Sequence, residues 1–414
     1  MNRIILIGNG FDLAHGLPTS YGSFIDWYWG NWEIVLRSSE KQEEEDVLCS
    51  FRMGGDDKSF KDFFKRLKPH FEHKTKSEFF NELKSIPTCV KEYSIFLAYI
   101  CKSVETKGWV DVENEYYNLL NQLREFPQRY NFDINALNNQ FGFLQELLIQ
   151  YLREVPFENI GVNSKIKKII YEPIRLKDIS ISEKNRLIEH LKYWAECDES
   201  IWYEKLECYN LRNSLARNRI LDFRNQRLDI INSLDYIVNN YPSLCLPDNI
   251  MLLNFNYTNT ASKYVQLNNP LFEINHIHGE LSKPESIIFG YGDELDENYQ
   301  KISNLNDNEY LTNFKSIKYL ESDRYRKALQ FMDAAPYQVF IMGHSCGNSD
   351  RTLLNTLFEH KNCVSIKPYY YKDGDKDNYL EIVQNISRNF KDMKLMRDRV
   401  VNKTYCEPFS ERVS

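Results

Sequence analysis

Ile4-Ile5-Leu6-Ile7-Gly8-Asn9-Gly10-Phe11-Asp12, followed by Gly16-Leu17-Pro18-Thr19, is the stretch that decides how the chain is read. Four branched apolar residues in a row predict a buried strand. A G-x-G turn follows at once, and a further glycine closes the loop. Glycines let a backbone turn sharply and let a pyrophosphate approach main-chain N–H groups. This layout predicts a phosphate-cradling loop at the carboxyl end of the first strand of a nucleotide-binding α/β fold. Leu13 stands where the full G-x-G-x-x-G would place its last glycine. A tight strand–helix turn of any α/β protein therefore fits the same residues.

Composition narrows the setting. At 414 residues the chain is long enough for two domains, or for one domain carrying a large insertion. A net charge of −7 argues against a general nucleic-acid-binding surface. The 27 tyrosines and 25 phenylalanines come without basic interleaving, so they are expected to pack helices and cores. Nine scattered cysteines form no C-x-x-C pair, which predicts reduced thiols in a cytoplasm and no zinc ribbon. Gly8, Asn9 and Asp12 interrupt the first apolar run, so it reads as a strand and not as a signal peptide. No stretch is long and apolar enough to suggest a membrane span.

Helical spacing dominates after the first loop. Tyr21–Arg37, Cys89–Lys107, Val110–Phe126, Ala136–Val155 and Leu228–Tyr241 each read as a helix, with a strand pair as an option near Lys168–Arg175. The acidic run Glu43–Asp46 reads as a solvated loop or helix end. Strand signals return after Pro247: Ile250–Phe255, Leu271–Ile277, Ser286–Gly290, Tyr337–Met342 and Cys363–Tyr371, with helices at Asp350–His360 and Asp377–Phe390. The expectation is an α/β fold with a doubly wound, mostly parallel, Rossmann-like sheet split by a large, mostly helical insertion. Residues 1–20 supply the first strand and its loop, 21–245 the insertion, 246–400 the rest of the sheet domain, and 401–414 a flexible tail or contact arm.

Four of these strands end in glycine or polar residues: Gly8–Asp12, Asn254–Thr258, His278–Gly279 and Gly343–Asp350. In an open parallel sheet such ends line one crevice, where ligands bind. Asn256 and His278 are its candidates for chemistry. A crevice of amides with one imidazole suits a reaction whose leaving group departs on its own charge. Loss of nicotinamide from NAD is such a case: the pyridinium leaves as a neutral base, and the protein holds the ribose, orients a water and accepts a proton.

The set N-G-F-D-x-x-x-G-L-P-T, N-F-N-Y-T, I-H-G and G-H-S-C-G-N-S-D resembles the AbiH-type abortive-infection family of bacterial anti-phage proteins, which is related to the sirtuin-like NAD-binding fold. The resemblance spans about residues 1–25 and 248–360; between them only Trp109-x-Asp111-x-Glu113 matches. It implies that Asn256 and His278 are the catalytic pair of an NAD glycohydrolase. It assigns Gly8, Asn9, Gly10, Phe11, Asp12, Pro18 and Thr19 to the nucleotide loop, and Gly343, Ser345 and Asp350 to the distal ribose. Thr258 stands where the sirtuin-like T-x-N-x-D pattern has its acid, which touches recognition of the nicotinamide amide. Nothing in the four segments supplies a metal cage and the zinc-binding cysteine pairs of protein-deacylating sirtuins are missing, so no metal is expected, and no cofactor beyond NAD as substrate or ligand. The resemblance further implies low basal activity, a homo-oligomer and a phage-derived trigger.

Other readings of the same residues stay open. Asn256 could satisfy backbone groups at a strand end. His278 could be structural, with His276 a competitor on the same strand face. Asp12 could cap the following helix, and His15 reads as structural. Glu113 is either a helix-start acid or a residue that closes the pocket. Gly343-His344-Ser345-Cys346-Gly347 is formally a G-x-S-x-G nucleophile elbow, whose base would have to be His360. A sensor that binds nucleotide without turnover is the remaining alternative, and a nuclease toxin lacks both a carboxylate cluster and a basic channel.

Overall fold

The first apolar run forms a strand whose six residues, Asn2–Ile7 (β1), are all buried in the computed structural model. The structure describes residues 1–54, 57–67, 83, 89–107, 111–211, 214–226, 228–266 and 268–412. The chain divides into two compact units, each built from separate stretches. The first comprises Met1–Leu17, Phe157–Ile288 and Ser316–Ser414; the second comprises Pro18–Pro156 and Phe289–Lys315.

The strands in chain order are β1, β2 (Glu43–Glu45), β3 (Cys49–Met53), β4 (Cys89–Tyr93), β5 (Ile250–Asn254), β6 (Phe272–His276), β7 (Tyr337–Met342), β8 (Cys363–Asp373), β9 (Lys376–Asp377) and β10 (Pro408–Arg412). The first unit holds a mixed α/β fold around a mostly parallel sheet of order β10-β8-β7-β1-β5-β6, with β9 folded back antiparallel on β8. β1 lies in the middle, paired in parallel with β5 on one side and β7 on the other. The chain thus builds outward from β1 through β5 and β6, then returns to build the other side. Both faces of the sheet are covered. Ile5, Ile7, Ile250, Leu252, Phe340 and Met342 share a core with helices between residues 164 and 240. Ile4, Leu6, Met251, Leu253, Val339 and Ile341 share another with helices Arg324–Ala334, Arg351–Glu359 and Tyr379–Arg388. Two-sided burial explains why these strands read as unbroken apolar runs.

Several expectations need correction. The helices from residue 157 to 245 pack against the sheet within the first unit, so the second unit is smaller than the expected 21–245 insertion. The strand option at Lys168–Arg175 is a helix, Ser164–Ile170, followed by irregular chain. Its carbonyls at Ile170 and Glu172 accept from the buried Arg3 guanidinium and not from a partner strand. Ser286–Gly290 forms no strand, although the Ile288 amide donates to the His278 carbonyl at 2.9 Å. The tail is not a free arm, because β10 extends the sheet beside β8. Leu228–Tyr241 is helical only over Leu234–Asn240.

The second unit is mainly helical, with Tyr21–Ser38, Val112–Glu125 and Ile134–Glu154 among its helices. Ser20 caps the first of these by accepting from the Ser23 amide, and Asp111 and Asp133 cap the other two in the same way. Phe96, Tyr116 and Phe141 pack ring against ring in its core. A small antiparallel sheet β2-β3-β4 lies in the same unit. It corrects two readings: Cys89–Tyr93 is strand before the helix Ile95–Lys107, and the acidic run is the edge strand β2. An edge of glutamates is a common guard against further strand pairing. Among the described residues, no helix is long and apolar enough to cross a membrane.

Candidate functional site

The carboxyl ends of β1 and β7 meet backbone to backbone. Gly8 precedes a short helix, Asn9–Leu13. A Cβ on Gly8 would lie 2.5 Å from the His344 Cα, and one on Gly343, whose φ is +80°, would lie 2.1 Å from the Phe11 nitrogen. The glycines are therefore required by the approach of these two loops. The Gly8 amide donates to the Met342 carbonyl at 3.3 Å, Gly10 to Gly343 at 2.9 Å, and Phe11 to Gly8 at 2.8 Å. These three N–H groups, expected to cradle a pyrophosphate, are engaged by the protein's own carbonyls. Phe11 is fully buried against His15 and Tyr264, which makes it a core residue and corrects its expected place in the ligand contact set. Asn9 is exposed beside it.

Asp12 brings the end of β5 onto this loop. Its Oδ2 accepts from the Thr258 hydroxyl at 2.6 Å, while Oδ1, also buried, has no hydrogen-bond partner among the described residues. Burial pushes its pKa up to about 6, against the opposing hold of Thr258, Thr260 and Asn256. The Asn256 amide donates to the Gly8 carbonyl at 3.0 Å, and its backbone N–H donates to Asn254 Oδ1. Asn254 in turn donates to the Thr258 carbonyl at 2.9 Å and faces His276 Nδ1 at 3.2 Å. His276 thus supports the turn after β5. Gly8, Asp12, Asn256 and Thr258 form one connected polar group.

His278 belongs to a second group. Its Nε2 lies 3.1 Å from Asp350 Oδ1 and 3.2 Å from the Tyr319 hydroxyl. The other oxygen of Asp350 faces His344 Nε2 at 3.4 Å. His344 Nδ1 accepts from the Cys346 amide at 3.0 Å, which fixes its proton on Nε2. The ring of Phe255 lies edge-on to His278 and 4.1 Å from His344, closing the group on its apolar side. All three of His278, His344 and Asp350 are buried. Asp350, expected to hold a distal ribose, is instead the carboxylate between two imidazoles. With Nε2 donating to that carboxylate, His278 presents Nδ1 as its acceptor atom. Neither His344 nor Tyr319 stood out in the sequence. His344 lies within the G-H-S-C-G run, but its partner is known only once β7 and the following loop are placed.

The remaining candidates separate. Ser345 is exposed, and its carbonyl accepts from Asn385. The left-handed residues of its G-x-S-x-G run are Gly343 and Cys346, at φ +80° and +56°, and not the serine. His360, the elbow's required base, sits at the far end of helix Arg351–Glu359, paired with Asp333 at 3.3 Å and accepting from the Asn362 amide. His15 is structural, between the Phe11 carbonyl and the Tyr264 hydroxyl. Pro18 and Thr19 belong to the second unit, where the Pro18 carbonyl accepts from Tyr151. Glu113 is also there, 3.1 Å from the buried Lys315 ammonium and accepting from the Gly290 amide. Trp109 lies outside the described residues. Among the described residues no group of three or more His, Cys, Asp or Glu side chains is arranged to hold a metal ion.

No curated protein and no solved structure matches the chain. A family model, described as bacteriophage abortive infection AbiH, matches residues 4–371, nearly its whole length. That span begins within β1 and ends within β8, so it takes in both polar groups at the carboxyl ends of the strands. The chain belongs to the AbiH family.

Proposed function

We propose that the protein hydrolyses NAD, or a related nucleotide, to nicotinamide and ADP-ribose at a sirtuin-like site, as an anti-phage defence acting in the cytoplasm. The observation that carries this reading is the sheet itself. Its strand order reverses between β1 and β7, as in the 3-2-1-4-5-6 order of doubly wound dinucleotide-binding folds, and the polar groups gather at the carboxyl ends of β1, β5, β6 and β7. Ligands of such folds bind at that switch point.

In this mechanism the bond between the ribose C1′ and the pyridinium nitrogen breaks, its electron pair leaving with neutral nicotinamide. Water adds to C1′, and its proton passes to Nδ1 of His278. Asp350 stabilises the imidazolium until the proton reaches solvent. Asn256 orients the water and the ribose. With the N–H groups of Gly8, Gly10 and Phe11 engaged, phosphate binding at this loop requires their rearrangement. One observation favours a second reading, a nucleotide sensor without turnover: His278, His344 and Asp350 are shut away from solvent. The same burial suits an enzyme held at low basal activity until a phage component or oligomerisation opens it.

Incubating the purified protein with NAD and following nicotinamide by chromatography tests the reading. Asn256→Ala and His278→Ala should each abolish release while leaving the fold intact. Tight nucleotide binding without release would select the sensor, and full turnover by either variant would remove that residue from catalysis.

A further inference from the structure

The other buried carboxylates in the first unit are held by cations or by imidazoles, and Asp12, which adjoins the site, is held by neither. Asp178 receives the buried Lys367 ammonium at 2.7 Å. Glu172 pairs with Arg175 at 2.5 Å. Asp350 lies between two imidazoles. Asp12 is as buried as these, at 1% exposure, yet the groups acting on it are two hydroxyls and an amide, from Thr258, Thr260 and Asn256. None of them is charged. His15, further along its own turn, is engaged by the Phe11 carbonyl and the Tyr264 hydroxyl. Oδ1 of Asp12 has no hydrogen-bond partner among the described residues.

An ionised carboxylate without a counter-charge is costly to bury, and folds compensate it or leave it protonated. Asp12 adjoins Asn256, the residue on which the proposed hydrolysis depends, and it bonds the threonine that replaces the acid of the T-x-N-x-D pattern. We infer that the missing cation comes from the ligand: Asp12 recognises the positive charge of an oxidised pyridinium nucleotide and makes the site selective for oxidised over reduced dinucleotide. The same carboxylate then faces the ribosyl cation as the nicotinamide leaves, where a fixed negative charge in a dry site acts most strongly. This inference rests on the glycohydrolase reading and names the residue that sets its ligand charge.

The test is calorimetric titration of the full chain at pH 8 with two probes. One is carba-NAD, whose ribose ring oxygen is replaced by a methylene so that it keeps the pyridinium charge but is not cleaved. The other is NADH, which lacks that charge. The wild type should bind carba-NAD at least about tenfold more tightly than NADH, and Asp12→Asn should bind the two alike. The wild type alone gives a second readout that needs no variant: its preference should shrink several-fold between pH 8 and pH 5.5, as Asp12 takes up a proton. Equal binding of both probes by the wild type would overturn the inference and leave the nucleotide site standing. So would a preference that survives in folded Asp12→Asn, or one independent of pH. Binding of neither probe would overturn the nucleotide reading and the inference with it.

Discussion

Asp12→Asn should make the protein more stable at neutral and alkaline pH. The perturbation is nearly isosteric: Asn keeps an oxygen for the Thr258 hydroxyl, which donates to Asp12 at 2.6 Å, removes the charge and puts an NH2 group in place of the partnerless oxygen. Burial raises the Asp12 pKa from 3.8 to about 6. The sign follows from linkage. A carboxyl whose folded value is raised binds its proton more tightly in the native state, so it favours folding below the unfolded value and loses that advantage as pH rises through 6. A shift of about two units at ~1.4 kcal/mol each amounts to ~3 kcal/mol at pH 8. At pH 5 roughly half of that remains, since the native carboxyl is then mostly protonated while the unfolded one is ionised. Asn pays neither cost, so its advantage over Asp should be up to ~3 kcal/mol at pH 8 and about half that at pH 5. Urea unfolding of the two full-length proteins at both pH values, followed by fluorescence, measures it. An Asn variant no more stable at pH 8, or a gap that does not narrow at pH 5, would refute the picture of an uncompensated buried charge.

Asp350→Asn should lower nicotinamide release by about 10²–10⁴-fold and flatten its pH profile, because His278 and His344 lose their common acceptor; initial rates across pH check it. Gly343→Ala should cost at least ~2 kcal/mol, since it adds a left-handed residue and a Cβ 2.1 Å from the Phe11 nitrogen. Thermal unfolding reads that cost, and nucleotide binding should fall with it. Lys367→Met should destabilise by about 3–5 kcal/mol, because it strands the buried Asp178 carboxylate without its cation; the urea midpoint measures it, with Asp178→Asn in the same chain expected to restore part of the loss.

The strands that position the site were legible because burial on both faces leaves a continuous apolar signal. Tyr337–Met342 matches β7 residue for residue, and β5 and β6 differ from their expected spans only at the ends. Signals weakened where the chain carries polar or mixed residues into the sheet. β10 begins at Pro408 and includes Ser410 and Glu411, so nothing marks it as a strand until β8 supplies the partner. β2 is three glutamates, which read as solvent-facing coil. Asn256 and His278 stood out as candidates because they end strands, but their partners could not be read. The Asp350 carboxylate reaches His278 across 72 positions of sequence, and Thr258 reaches Asp12 across 246. The Gly8–Gly10 turn shows the opposite failure. Its motif was visible, but a glycine needed for a ligand and one needed for the facing backbone of Gly343 leave the same letter in the sequence.

The central place of β1 has a consequence for how the molecule is made. Its neighbours β5 and β7 are encoded more than 240 and more than 320 residues downstream. At ribosomal rates of about 5–20 residues per second, β1 waits roughly 12–50 s for its first partner strand and longer for its second. During that interval Ile4–Ile7 is an unpaired apolar segment that a chaperone can hold or an aggregate can capture. A chain interrupted before residue 337 has neither the Gly343 loop that backs Gly8 and Gly10 nor the Asp350 carboxylate that holds His278. An unfinished copy therefore carries an incomplete site, and translation itself delays the appearance of whatever that site does.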